Sequence, residues 1–336
     1  MGKTCKWQKK VERETLTCKN PADESGFCIL HDPSEDKDFN NPREYLDKLE
    51  GLEKALDFTG AIFYGGTGGL FSGKFGKLAK FDYAEFNEPS VFTASKFRAG
   101  VSFRGAVFKE KVILQKEGWS NDADFSGATF QQSVEVEGFA FASTVSFDGT
   151  IFEGPVVFKG GCSLKDANFS GAVFKRGAEF IGDIFGPTVN FTQTVFEDKA
   201  IFGERTTGEM ASPKTEECEF DAVDFSGARF GAGIEFQGVV FASGPIFSGA
   251  VFDHDTTSDF SRATISNSTL TFNETKFIGK VKLAGMQTGG HPTHFHKCDL
   301  RGLIFVDCDH FPKRMFFEDC VWPLKKYFGF IKGRLA

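Results

Sequence analysis

Phenylalanine recurs in this chain at a spacing that neither a helix nor an ordinary strand produces. From Phe81 the positions run 81, 86, 92, 97, 103 and 108, in steps of five and six. The series continues through Leu114, Trp119, Phe125, Phe130, Val136, Phe141, Phe147, Phe152 and Phe158, then Leu164, Phe169, Phe174, Phe180, Phe185, Phe191, Phe196 and Phe202. Four steps make one constant period. Phe81, Phe103, Phe125, Phe147, Phe169 and Phe191 form one series, and Phe86, Phe108, Phe130, Phe152, Phe174 and Phe196 another. An amphipathic helix repeats near 3.6 residues, and a half-buried strand alternates for longer than the three residues found here. Composition agrees: of 336 residues 43 are Phe, against 4 Tyr, 3 Trp and 4 Met, so one kind of slot is filled repeatedly.

Each unit reads small–x–Phe–x–small, as in Ala123-Asp124-Phe125-Ser126-Gly127 and Ala167-Asn168-Phe169-Ser170-Gly171. Strand alternation turns the first and third residues inward and the second outward. Gly, Ser and Asp let the chain turn. Four short strands and four turns close a square coil, and the next coil stacks about 4.8 Å above it, Phe over Phe. The extra residue of every second unit falls at a corner, where a longer turn costs little. The expectation is an all-β solenoid with four flat faces.

The strings ADFSGATF, ANFSGAVF, VDFSGARF and SDFSRAT resemble the pentapeptide-repeat proteins, whose units are A(D/N)LxX or A(D/N)FxX. The resemblance covers about residues 58–321. It implies a right-handed quadrilateral parallel β-helix, here with about 22 residues per coil where the family's standard is about 20. It also implies a non-catalytic scaffold or interaction protein that presents rigid faces to a protein partner. The alternative is a DNA-mimicking regulator, because some members resemble B-DNA in width and charge and bind DNA gyrase. That use needs a continuous acidic stripe, whereas the outward positions here mix Lys, Glu, Val and Ser around a net charge of −7. The same charge argues against direct nucleic-acid binding through phosphate contacts.

The chain divides into a Cys/His leader (1–40), a capping helix (41–57), the β-helix (58–285), final coils (286–323) and a basic tail (324–336). The helix expectation rests on Pro42 at a start position and on Tyr45, Leu46, Leu49, Leu52 and Leu56 along one face. Residues 203–217 exceed the step length and read as a loop inserted at one corner. Met286–His296 reads as a break, with the repeat resuming at Leu300, Phe305 and Phe316.

In the leader, two residues separate Cys28 from His31, the spacing with which one turn presents two ligands to tetrahedral Zn²⁺. Cys5 and Cys18 supply the other two, and the metal would supply the folding energy of a segment too short and polar for a core. Pentapeptide-repeat proteins with a Cys-rich leader ending in CxxHD look similar. Four protein ligands make the zinc structural; the alternative is a leader with unligated thiols. His294, His296 and Cys298 alternate and suggest a weaker second site, with a polar loop the preferred reading. Cys162, Cys218, Cys298 and Cys308 fall at inward small positions, where thiols act as small hydrophobes.

Gly68–Lys74 matches a phosphate-binding loop, but Phe75 replaces the required hydroxyl residue and belongs to the Phe series. No other catalytic motif stands in a suitable context, so the chain is read as a non-enzyme. Outward positions on one face run Glu85, Val107, Thr129, Ile151, Val173, Val195, Arg229 and Val251. Such a column reflects β-propensity, the preferred reading, or a contact surface at Val107, Ile151, Val173, Val195 and Val251 for a partner or a second copy. The sequence has no apolar run long enough to span a bilayer, and its first residues lack the apolar core of a secretory signal. No membrane span and a cytoplasmic location are therefore expected.

Overall fold

The computed structural model describes residues 3–11, 14–20, 22, 24–28, 30–34, 56–64, 74–92, 96–115, 118–182, 184–203, 218–253, 257–306 and 314–322. From Leu56 onward the chain winds as a parallel β-solenoid with four faces. On the first face Val101 pairs with Ala123 and Ala123 with Val145. On the second, Phe86 pairs with Phe108 and Phe108 with Phe130. The third aligns Leu114, Val136, Phe158 and Phe180, and the fourth Phe141, Leu164, Phe185 and Phe220. The second and third faces are ten-stranded sheets. The first and fourth share one sheet because strands such as Ala140–Ser146 and Ile184–Asn190 run through the corner between them.

Rings one coil apart lie over one another. Phe103 stacks on Phe125 at 5.0 Å, Phe125 on Phe147 at 5.1 Å and Phe147 on Phe169 at 4.9 Å. The second column repeats this, with Phe86, Phe108 and Phe130 at 4.6 and 4.8 Å. Between columns the rings tilt, as for Phe103 and Phe108 at 56°. Each ring therefore meets its own column face to face and the adjacent column at an angle, both favourable aromatic geometries.

The Asp/Asn of the repeat has a local task. Its side-chain oxygen accepts the N–H two residues on: Ser126 to Asp124 at 2.9 Å, Ser170 to Asn168 at 3.0 Å and Ser226 to Asp224 at 2.7 Å. This Asx turn satisfies a corner amide that the ladder does not reach. The next residue takes positive φ, +61° at Gly105 and +66° at Gly127, which explains the glycine of FSG. Where Thr replaces Ala at the inward small position, its hydroxyl is satisfied: Thr150 donates to the Phe125 carbonyl and Thr194 to that of Phe169, both at 2.8 Å.

Several expectations need correction. No helix occurs among the described residues; 41–55 lie outside them, and Leu56–Asp57, at the end of the expected helix, form a strand paired with Ala79–Lys80. Leu56 opens the first coil because Leu56-Asp57-Phe58-Thr59-Gly60 is itself a repeat unit, and Phe58 stacks on Phe81 at 4.9 Å. Met286–His296 is not a break: Thr293–His296 pairs with Leu270–Asn273 and with Met315–Glu318. Phe317, not Phe316, stacks on Phe295, and Phe316 points outward.

His294 and His296 do not share a side with Cys298. Positive φ at Lys297 resets the alternation, so Cys298 is fully buried and donates to the Phe272 carbonyl. Residues 204–217 of the expected insertion, Cys308 and 323–336, which hold the basic tail, lie outside the described residues. The register survives the insertion, since Phe185 stacks on Phe220 at 4.3 Å and Phe202 on Phe236 at 5.2 Å. Lys74–Phe75 is a strand, and Phe75, the residue after the apparent phosphate loop, stacks on Phe97 at 4.6 Å in the core; residues 68–73 of that loop lie outside the described residues. No described helix is long and apolar enough to cross a membrane.

Candidate metal centre

The leader folds around a hairpin of β1 (Gln8–Val11) and β2 (Glu14–Thr17). Antiparallel pairing sets Gln8 against Thr17, so Cys5 before β1 and Cys18 after β2 approach each other. The Cys18 N–H donates to the Trp7 carbonyl at 3.2 Å and the Cys5 N–H to that of Asn20 at 3.0 Å. The other two candidates come from a single turn, in which the N–H groups of His31 and Asp32 both donate to the Cys28 carbonyl.

The four ligand atoms lie within 4.8 Å of one another. Cys18 Sγ is 3.7 Å from Cys28 Sγ, and His31 Nδ1 is 3.1 Å from Cys28 Sγ and 3.5 Å from Cys5 Sγ. Tetrahedral zinc bonds of about 2.3 Å to sulfur and about 2.0 Å to nitrogen give edges of about 3.8 Å and about 3.5 Å. The observed spacings fit that donor set. Cys5, Cys28 and His31 are buried and Cys18 is half-buried.

The surroundings suit a cation. His31 Nε2 donates to the Thr59 carbonyl at 2.9 Å, which leaves Nδ1 as the ligand lone pair. The Cys28 N–H points at Cys5 Sγ at 3.2 Å and the Asn20 N–H at Cys18 Sγ at 3.4 Å, and the latter bond lowers the Cys18 thiol. Against them, burial pushes the Cys18 thiol up to about 12, and the neighbouring Cys28 and Cys5 push the same way. A buried cation reverses that balance by replacing the thiol protons.

The centre is fused to the solenoid. The Leu30 carbonyl accepts the Ile62 N–H at 2.7 Å, as one and two coils on the Ala61 and Ala84 carbonyls accept from Glu85 and Val107, both at 2.8 Å. Leu30 thus takes the small-residue position of a coil preceding the first, and its side chain is buried. Trp7 stacks on the His31 ring at 4.5 Å and 13°. It also lies over Gly60, where an added Cβ would fall 1.9 Å from the indole. The sequence reading found all four candidate ligands but missed Trp7, Leu30 and Thr59. Trp7, one of three Trp and alone in a polar leader, was the available signal.

A cleft of about 980 Å³ opens between hairpin and solenoid, lined by residues including Trp7, Lys19, Asp57, Lys80, Asp82 and Arg104. Its carboxylates are engaged: Asp57 accepts the Thr59 N–H at 3.0 Å, and Asp82 accepts from the Ser102 hydroxyl and the Arg104 N–H. Among the described residues, Cys5, Cys18, Cys28 and His31 form the single metal-type cluster, and His294 and His296 join none. His296 Nδ1 instead meets Asn273 Oδ1 at 2.7 Å, and His294 packs against Phe316.

The outward column of the second face runs in register from Glu85 to Val107, Thr129, Ile151, Val173, Val195, Arg229 and Val251. Outward charges pair between adjacent coils: Lys109 with Glu85 at 3.0 Å, Lys111 with Glu135 and Lys175 with Glu153 at 2.8 Å, and Arg229 with Asp253.

The fold and this centre together define a Phe-centred repeat solenoid with a Cys₃His leader, the architecture that the resemblance to pentapeptide-repeat proteins implies. No family profile matches the chain, and no curated protein matches it. Among solved structures it is similar to HetL, a pentapeptide repeat protein involved in heterocyst differentiation regulation from the cyanobacterium Nostoc. The identity is 12%, over 72% of this chain and 86% of that one, with a TM-score of 0.26. At that score the superposition carries no argument, and the architecture stands on the strand register of this chain.

Proposed function

We propose that this protein is a non-catalytic interaction scaffold: a rigid four-faced rod whose first coil is closed by a structural Zn²⁺ bound to Cys5, Cys18, Cys28 and His31. The observation that carries the reading is the metal cluster, where the protein supplies four ligands and leaves no position for substrate. The ladder bond from Leu30 to Ile62 makes the centre an end cap, which a solenoid needs to cover its stacked rings. Zinc would contribute folding energy and hold the turn that carries Leu30.

Elemental analysis of the purified chain is expected to give about one zinc per chain. Chelation should lower the melting temperature and loosen protection of the 56–64 amides first. Less than half an equivalent of zinc ends the metal reading. For the scaffold reading, the immobilised protein should retain a defined protein from extract of its host, and retention should fall when outward residues are changed; no specific retention removes it.

The DNA-mimic alternative draws less support. The coil-to-coil pairs of Lys109, Lys111, Lys175 and Arg229 interrupt the acidic surface that such mimicry requires. A gyrase supercoiling assay separates the two, since a scaffold of this charge pattern leaves supercoiling unchanged.

A further inference from the structure

Nine successive coils of the second face's outward column are self-complementary. From the first coil it runs Ile62, Glu85, Val107, Thr129, Ile151, Val173, Val195, Arg229 and Val251, one residue per coil. Ile151 is the midpoint of these nine positions; the column continues to Lys276, outside the symmetric stretch. Positions equidistant from it match: Thr129 with Val173, Val107 with Val195, Ile62 with Val251, and acidic Glu85 with basic Arg229. All are half-exposed except Arg229, which is exposed.

The neighbouring column follows the rule at its outermost charges. The residue after each Phe on this face also points outward, and coil by coil the ladder places Lys109, Gln131, Glu153, Lys175 and Glu197 in line. About the coil of Ile151, Lys109 and Glu197 are equidistant and opposite in charge; Glu153 lies at the axis and faces its own copy, with Lys175 of each chain one coil away and paired to it. A two-fold axis lying in the face, parallel to the strands and passing at Ile151, reverses the order of the coils. It keeps this second column on the same side. Glu85 and Lys109 of one copy then face Arg229 and Glu197 of the other, a square of four charges alternating in sign, and it occurs twice.

We propose that this face binds a second copy of the chain, with the two rods antiparallel about Ile151. The inference rests on the scaffold reading and names a partner for it. A column of apolar β-branched residues has no need to place its two opposite charges symmetrically, so β-propensity alone does not account for the pattern. Electrostatic complementarity of this kind fixes register. Eight coil steps of about 4.8 Å and a face about 10 Å wide give roughly 400 Å² per copy. That is about half of a standard partner surface, so a weak dimer with a micromolar dissociation constant is expected.

Sedimentation of the zinc-loaded full chain between about 5 and 200 μM should show its mass rising from one copy to two. Ile151→Glu sets two further carboxylates against each other on the axis, beside the Glu153 pair. It should weaken association at least tenfold while leaving the melting temperature and the far-UV spectrum in place, because the side chain points outward. Glu85→Arg and Arg229→Glu should each weaken self-association, since each sets like charges across the axis. An equimolar mixture of those two variants should recover it, because each substituted side chain then faces the opposite charge, at both ends of the column.

A wild-type chain that stays monomeric throughout overturns the proposal. So does a dimer indifferent to Ile151→Glu, or a mixture that fails to recover. Monomeric behaviour alongside specific retention of another protein would remove self-association and leave the scaffold reading intact.

Discussion

Replacing Phe125 with Ala tests the ring column where it is best defined. Phe125 is 1% exposed and lies between Phe103 at 5.0 Å and Phe147 at 5.1 Å, nearly parallel to both. Phe130 tilts against it at 5.9 Å. Truncating a buried Phe costs about 3–5 kcal/mol, the upper end applying where the site cannot collapse. Collapse is blocked here because the coils are pinned at ladder spacing: the Phe103 N–H donates to the Asp124 carbonyl at 2.6 Å and the Phe125 N–H to that of Ser146 at 2.7 Å. The expected loss is therefore about 4–5 kcal/mol. Denaturant unfolding with linear extrapolation, checked for an unchanged slope, measures it. A double-mutant cycle with Phe103→Ala isolates the stacking component, expected at about 0.5–1.5 kcal/mol. A loss below about 2 kcal/mol, or a coupling of zero, would mean that the rings do not support one another and that the solenoid is held by its backbone ladder alone.

Asp124→Ala removes the acceptor for the Ser126 N–H and should destabilise by about 1 kcal/mol, whereas Asp124→Asn keeps the turn and should cost little. Equilibrium unfolding of both distinguishes the turn from a charge effect. Burial raises the Cys298 thiol from 9.0 to about 11. The protonated form is the one the fold favours, so its contribution is whole below pH 9 and is lost as pH rises through about 11. Relative to Cys298→Ala, the wild type should thus lose stability between about pH 8 and about pH 11, by up to about 2–3 kcal/mol; parallel curves for the two proteins would contradict the burial argument.

How much was legible follows from what each segment's residues are chosen to do. The coil interior was readable because one inward slot recurs in every coil, so Phe103, Phe125 and Phe147 each testify to the same geometry. The candidate metal cluster was readable because chemistry restricts its residues: Cys28 and His31 at that spacing have few other uses. The junction between the two was not. Leu30 offers only a backbone carbonyl to Ile62, and Thr59 only a carbonyl to His31, and a main-chain group leaves no mark on residue type. The expected helix was placed at 41–57 because an open solenoid end needs a cover and Leu56 fitted its apolar stripe, yet Leu56 equally fits the inward slot of a first coil. The requirement for a cover was sound. What the residues could not reveal is that the leader extends the second face's ladder backward by one step and fastens that step to a buried Cys₃His cluster. The candidate centre and the solenoid are therefore joined through the short stretch from Leu30 to His31, and on the zinc reading chelation should be felt at Ile62 before any ring in the column moves.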